Sequence, residues 1–150
     1  MDQMSFHQRR MQPALILAQQ AAARGEVPVG AVIYHKGEII ARAYNTREWT
    51  KNGATHAELI AIQRACQKLG GWRLHECQLY VTLEPCLMCA GAIINTRIPL
   101  VVYGTDDPKA GCFGSVMDAR NFPFNHKPEI VAGICQPEAR KLLTDFFKEL

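Results

Sequence analysis

The sequence predicts a three-layer α/β/α sandwich around a central mixed five-stranded sheet. Three observations predict it. Five short runs rich in β-branched and aromatic residues are interleaved with four helical stretches. Two of the runs meet in a hairpin, which pairs them antiparallel. Two later runs are separated by a helix, and a strand–helix–strand step of that kind is a parallel crossover. Strands of both pairings alternating with helices place helical layers on the two faces of one sheet.

The elements follow in order. Ser5-Phe6-His7-Gln8 reads as a capping box. Leu15, Ala18 and Ala22 then recur at helical spacing and Gly25 ends the helix, although Pro13 conflicts with an uninterrupted interior. Residues 27–33 and 39–44 form strands joined by His35-Lys36-Gly37-Glu38, a glycine turn. Residues 45–55 are polar and loop-like. Residues 56–69 are helical, with Leu59, Ile62 and Leu69 apolar and Gly70-Gly71 as the stop. Residues 77–83 form a strand, Pro85 opens a helix that runs to about Thr96, and residues 100–104 form a strand. Residues 105–127 are a long loop with one helical turn near 116–120. Residues 128–134 form a strand, and 137–150 form a helix with proline in its first turn. Loops as long as 45–55 and 105–127 are usually functional in a compact domain.

Composition bounds the rest. A chain of 150 residues and 16.8 kDa is sized for one domain, residues 1–150. Apolar residues at 48% and charged residues at 21% exclude a disordered, collagen-like or coiled-coil protein. The longest apolar runs fall far short of the ~20 residues of a membrane helix. Met1-Asp2-Gln3-Met4-Ser5 lacks the apolar core of a signal peptide, so a cytosolic location and no membrane partner are expected. The net charge of +3 permits an anionic partner without demanding one. Six cysteines in a cytosolic chain read as metal ligands, catalytic groups or buried thiols rather than disulfides.

The chemistry concentrates in His56-Ala57-Glu58 and in Pro85-Cys86-Leu87-Met88-Cys89, both at helix starts. Cys86 and Cys89, three apart, share one helical face. A first helical turn favours thiolates through its dipole and free N–H groups. Two thiolates and an imidazole are a zinc donor set. The other cysteines, Cys66, Cys77, Cys112 and Cys135, stand singly and read as buried thiols, so no fourth ligand is evident. Three protein ligands leave a position open for water, as catalytic zinc sites do. Glu58, two residues after His56, is placed to take a proton from that water and return it to a substrate. Such a site suits hydrolysis at an electron-poor carbon, the amine-bearing carbon of a nucleobase among them. C-x-x-C also serves structural zinc sites and redox pairs, and H-x-E occurs by chance. Among the other histidines, His7 and His35 are expected to face solvent and His126 to order its loop. None is assigned to metal.

H-x-E followed by P-C-x-x-C resembles the signature of the zinc-dependent nucleobase deaminases of the cytidine deaminase-like superfamily. Residues 26–32, 82–92 and 114–118 and the pair Asn125-His126 resemble its bacterial tRNA-specific adenosine deaminase branch, and the likeness runs from about residue 5 to 148. The resemblance implies hydrolytic conversion of the wobble adenosine of an anticodon loop to inosine. It implies one zinc per subunit held by His56, Cys86 and Cys89, with Glu58 as proton shuttle. It implies a contact from Asn45 to the flipped base, the backbone N–H groups of Ala57 and Cys86 near the reacting oxygen, and Pro28, Val29 and Leu83 as apolar walls. Asp107, Asn125 and Phe147 would touch the splayed anticodon nucleotides. A homodimer acting on a tRNA anticodon stem-loop is implied as well.

Several readings stay open from the residues alone. Asn45 also suits the turn that leaves the hairpin. Lys109, Arg120, Lys127, Lys141 and Lys148 suit either phosphates or plain solvation. Phe146 and Phe147, adjacent on a helix, point in different directions. Trp49-Thr50-Lys51-Asn52-Gly53, just before the histidine, fits no motif and bears on access to the base. A deaminase of a free nucleobase, nucleoside or nucleotide of the guanine or cytosine type would share the donor set and Glu58. A zinc-stabilised RNA-binding domain or a thiol redox protein would share the cysteines only.

Overall fold

A computed structural model describes residues 3–149, with side chains from residue 5 onward. The N-terminal reading therefore lies partly outside the described residues, and Leu150, the expected end of the last helix, lies outside them too. The sheet has five strands in the order β2-β1-β3-β4-β5: β1 (Gly30–His35), β2 (Glu38–Tyr44), β3 (Cys77–Leu83), β4 (Leu100–Thr105) and β5 (Glu129–Val131). β1 pairs antiparallel with β2 and β3, and β3–β4 and β4–β5 are parallel, so the sheet is mixed as expected.

The side-chain period of two divides each central strand between two cores. Ala31, Ile33, Leu79, Val81, Val101 and Tyr103 face α3 (Ala57–Leu69) and α4 (Leu87–Asn95), and pack with Ala61, Ile62, Ala90 and Ile93. Val32, Tyr34, Tyr80 and Val102 face α1 (Gln3–Ala23) and α5 (Gln136–Lys148), and pack with Met11, Ala14, Leu15 and Ala139. Those are the three layers. The β1–β2 turn has positive φ at Lys36 (52°) and Gly37 (82°), the conformation a two-residue hairpin needs. Ile40 is the extra residue where the register shifts between Ile33↔Ala41 and Tyr34↔Ile39. Among the described residues no helix is long and apolar enough to cross a membrane.

The structure corrects several local expectations. Ser5 lies inside α1, so Ser5–Gln8 is not its cap. Pro13 is an interior residue, and α1 continues through it. One turn before it, the Tyr34 hydroxyl donates to the Arg10 carbonyl at 2.9 Å. β1 starts at Gly30 rather than 27, because Val29 N–H turns back on the Val27 carbonyl at 2.8 Å and Pro28 has no N–H to give a ladder. Pro85 precedes α4 instead of opening it. Loop 45–55 carries a short helix, α2 (Arg47–Thr50). β5 has three residues, and the helical turn in loop 105–127 is Ala119–Asn121. His7 is half-buried and hydrogen-bonds the Tyr80 hydroxyl at 2.6 Å, and half-buried His35 lies 3.6 Å from Glu76, so neither simply faces solvent. His126 does order its loop, through a 2.6 Å hydrogen bond to the Ile98 carbonyl.

Both long loops are held by buried carboxylates. Glu26 accepts from the N–H groups of Glu48 (3.0 Å) and Trp49 (2.8 Å), which fixes α2. Glu84, on the last step from β3 to α4, accepts from the N–H groups of Asp107 (3.0 Å), Phe113 (3.0 Å) and Ser115 (3.1 Å) and from the Ser115 hydroxyl. A Cβ on Gly111 would collide with the Glu84 carboxylate, and one on Gly30 would collide with the α1 backbone at Ala14 and Ala18. These glycines are required by close approach.

Two predictions follow from this packing. Gly30→Ala forces α1 off the sheet and lowers stability by about 1–3 kcal/mol, read as a lower urea midpoint. Glu84→Ala strands three backbone donors and costs about 1–3 kcal/mol or more. Hydrogen exchange should then accelerate at Asp107, Phe113 and Ser115 while the β3–β4 ladder stays protected.

Candidate active site and metal centre

α3 and α4 lie on the same face of the sheet, and the residues before their first turns meet. His56 is the N-cap of α3 and Cys86 the N-cap of α4. Both have extended backbone (φ −75°, ψ 150° and φ −78°, ψ 178°), and neither side chain caps its helix. The side chains turn towards each other instead. Cys86 Sγ lies 3.6 Å and Cys89 Sγ 3.7 Å from His56 Nδ1. The three ligand atoms are all within 4.8 Å of one another, and no fourth His, Cys, Asp or Glu joins them among the described residues.

These separations fit a metal. Metal–sulfur bonds of about 2.3 Å and metal–nitrogen bonds of about 2.0–2.1 Å at a tetrahedral angle hold N and S about 3.5 Å apart. The donor electronics fit as well. Hydrogen bonds from Cys89 and His56 pull the Cys86 thiol down to about 4. The hydrogen bond to Cys86 and burial push Cys89 up, and the bond to Cys86 raises His56. The shifts are those of three neighbouring donors that share protons through hydrogen bonds, and a divalent cation takes the place of such protons when it binds.

Glu58 lies in the first turn of α3, fully buried and outside the ligand group. Burial pushes its carboxyl up to about 7, against its own backbone N–H, the field of His56 and the Cys89 thiol. A carboxyl at that value exchanges protons readily near neutral pH.

Around this centre the predicted contact residues separate. Asn45 is buried and its Oδ1 accepts from Ala57 N–H at 2.8 Å. It therefore caps α3, and the Ala57 N–H expected near the reacting oxygen is already engaged. Asn45 is thus not a local turn residue at the hairpin exit: its side chain reaches the start of α3, twelve residues on. Pro28 and Val29 are buried, and Leu83 is half-buried. Asn45 and Phe147 line one groove of about 450 Å³, with Glu26, Val27, Arg47 and Phe146. Phe147 is 54% exposed and Phe146 half-buried. Asp107 and Asn125 do not line that groove. The Asp107 carboxylate is turned onto the N–H groups of Lys109 and Ala110, while Asn125 is exposed. Arg120 and Lys141 are not free for phosphates. Arg120 is clamped by both oxygens of Asp118 (2.9 and 2.6 Å), and Lys141 pairs with Asp145 at 2.7 Å. Cys77, Cys112 and Cys135 are buried free thiols as expected, whereas Cys66, expected to be buried, is half-buried near the end of α3. Glu26 and Glu84 escaped sequence reasoning. Their one signal is an acidic residue directly before Val27-Pro28-Val29 and before Pro85-Cys86, in runs otherwise apolar.

The geometry agrees with the comparisons to known proteins. The model of the MafB19-like deaminase family matches residues 5–150. The chain is 48% identical to the tRNA-specific adenosine deaminase of Bacillus subtilis, over 93% of this chain and 88% of that protein. It is 44% identical to that of Aquifex aeolicus, over 91% of both. A solved tRNA:A34 deaminase superposes with a TM-score of 0.86 at 41% identity, covering 89% of this chain and 97% of the other. A guanine deaminase from Bacillus subtilis is less similar in fold, with a TM-score of 0.62 at 38% identity over 71% of this chain and 66% of that one. On its sequence, its fold and its His-Cys-Cys centre, the chain belongs to the MafB19-like deaminases, in the branch of the tRNA-specific adenosine deaminases.

Proposed function

We propose that this protein converts the wobble adenosine of a tRNA anticodon loop to inosine by hydrolytic deamination, releasing ammonia. The observation that carries the reading is a three-donor metal centre with one buried carboxyl beside it and no fourth ligand among the described residues. The likeness to tRNA-specific adenosine deaminases over nine-tenths of the chain supports the substrate. All 150 residues act as one deaminase domain, and a reaction on tRNA places it in the cytosol.

Zinc fits the two thiolates and one imidazole, and when bound by His56, Cys86 and Cys89 it supplies Lewis-acid activation of water. Glu58 takes one proton from the attacking water and passes it to the ring nitrogen, then takes the second proton from the added hydroxyl and gives it to the departing amine, so that ammonia leaves and the oxygen stays as the carbonyl of inosine. Its burial keeps the proton away from bulk solvent between those steps. Asn45 positions the start of α3, and with it His56 and Glu58, and it lines the groove that would take the flipped base. Leu83 presents an apolar wall, and Pro28 and Val29 back it from below. Phe147 offers a ring to a splayed nucleotide, Asn125 a free amide, and Asp107 a loop fixed by Glu84.

We also assign the protein to a homodimer. Leu87, Phe122 and Phe124 are exposed, and with Gly91, Ile94 and Met117 they line an apolar groove of about 380 Å³ beside α4. Cys86 and Cys89 sit at the start of that helix, so a partner covering the groove lies against the metal centre.

Two experiments test this. The zinc-loaded protein should form inosine in an anticodon stem-loop bearing a wobble adenosine, and not from free adenosine, guanine or cytidine. Glu58→Gln should lower that turnover at least ~10²-fold while metal content stays at one zinc per chain. Turnover of a free compound alone would overturn the tRNA reading and keep the catalytic one. Leu87→Glu should convert a dimer to monomer by light scattering, and a monomeric wild type would remove the dimer.

A further inference from the structure

We propose that Trp49, with the arginines around it, is a stacking and phosphate-binding platform for RNA nucleotides that flank the target adenosine. The inference rests on the tRNA reading above and names a contact beyond the groove at Asn45.

Trp49 is the most exposed large apolar side chain among the described residues, at 80%. Burial in the core does not explain it. Nor is it exposed on a loose loop. Its N–H donates to buried Glu26 at 2.8 Å, Glu48 N–H donates to the same carboxylate, and Thr50 bonds both Thr46 and Thr55 at 2.8 Å. Thr46 N–H closes the base of the loop on the Thr55 carbonyl, directly before His56. The indole is thus held out on a fixed backbone, on the loop that leads into His56. A tryptophan displayed in that way loses little conformational entropy when something stacks on it.

The surroundings decide what stacks. Trp49 forms a shared wall between a small hollow with Arg24 and Tyr44 and a larger one with Arg42 and Arg64. The Arg24 guanidinium lies 5.9 Å from the Tyr44 ring centroid, and Arg64 is steadied by a 2.6 Å bond to the Arg42 carbonyl. All three arginines are exposed, and among the described residues none has a carboxylate within 4 Å. Glu48 is the exposed acid of the patch, and Glu26 is buried on backbone donors. An aromatic face ringed by unpaired guanidinium groups is the chemistry of single-stranded nucleic acid: bases stack, phosphates pair. A strand whose target base enters beside His56 carries its neighbours across this rim.

The chain has two tryptophans, at 49 and 72, so Trp72→Phe leaves Trp49 as the one indole reporter. Adding the anticodon stem-loop to that variant should quench its emission saturably. Trp49→Ala should raise the KM for the stem-loop about 5- to 100-fold with kcat changed less than about twofold, and Trp49→Phe should retain most of the affinity. Arg42→Gln should flatten the slope of log affinity against log salt by about 0.7. Unquenched emission, or an unchanged KM in Trp49→Ala while the wild type makes inosine, would overturn the platform alone. A changed oligomeric state in Trp49→Ala with stem-loop affinity intact would give the indole to a protein interface and overturn it too. A wild type that makes no inosine fails the underlying tRNA reading first.

Discussion

The site depends on one packing constraint: α3 and α4 must lie on the same face of the sheet with their N-termini converging. Each helix is preceded by an extended residue, His56 or Cys86, whose side chain would ordinarily cap its own helix. Here neither does. Both reach across to the other helix, and Cys89 follows from the first turn of α4. The buried alanines Ala57, Ala61 and Ala90 allow the close packing that brings the helices together. Small residues at that seam leave room for the centre at its end.

Around this centre the two long loops carry few apolar anchors, and the fold secures them with carboxylates instead. Glu26 and Glu84 are fully buried without a cation, which would be costly if their oxygens were unpaired. They are not. Glu84 collects three backbone N–H groups and a hydroxyl, and Glu26 collects two N–H groups. Hydrogen bonds to a charged acceptor contribute more than neutral ones. The result is a pair of fastened loops, one held from Glu84 directly after β3 and the other from Glu26 in the segment between α1 and β1. Glu58 is a third buried carboxyl with a different use. Burial pushes it up to about 7, so it is poised to move a proton rather than to hold a loop.

Much of this was legible in the sequence, for identifiable reasons. β3 begins and ends where its apolar run does, at Cys77 and Leu83, because a central strand buried on both faces has no ambiguity of pattern. The grouping of His56, Cys86 and Cys89 was legible because a cysteine pair at helical spacing is chemically specific. Pro13 was not, since the conflict of a proline with a helix interior is a local signal, and α1 continues through it packed against the sheet. The span 27–29 reads as strand by composition, yet it turns because Val29 bonds back to Val27. The partners of Glu26 and Glu84 lie more than twenty residues away and, apart from the Ser115 hydroxyl, are backbone groups, which leave no trace in residue type.

The sequence by itself determined the order of the strands and the long helices, the grouping of His56, Cys86 and Cys89 as residues that could hold a metal, the place of Glu58 near them, and the family. Each of these is written in residue identity or in local periodicity. Only the tertiary structure decided that Asn45 caps α3 and engages Ala57, that Arg120 and Lys141 are already paired, and that Trp49 stands out in solvent among unpaired arginines. Those facts depend on which distant groups meet, and a linear pattern records the groups but not their meeting.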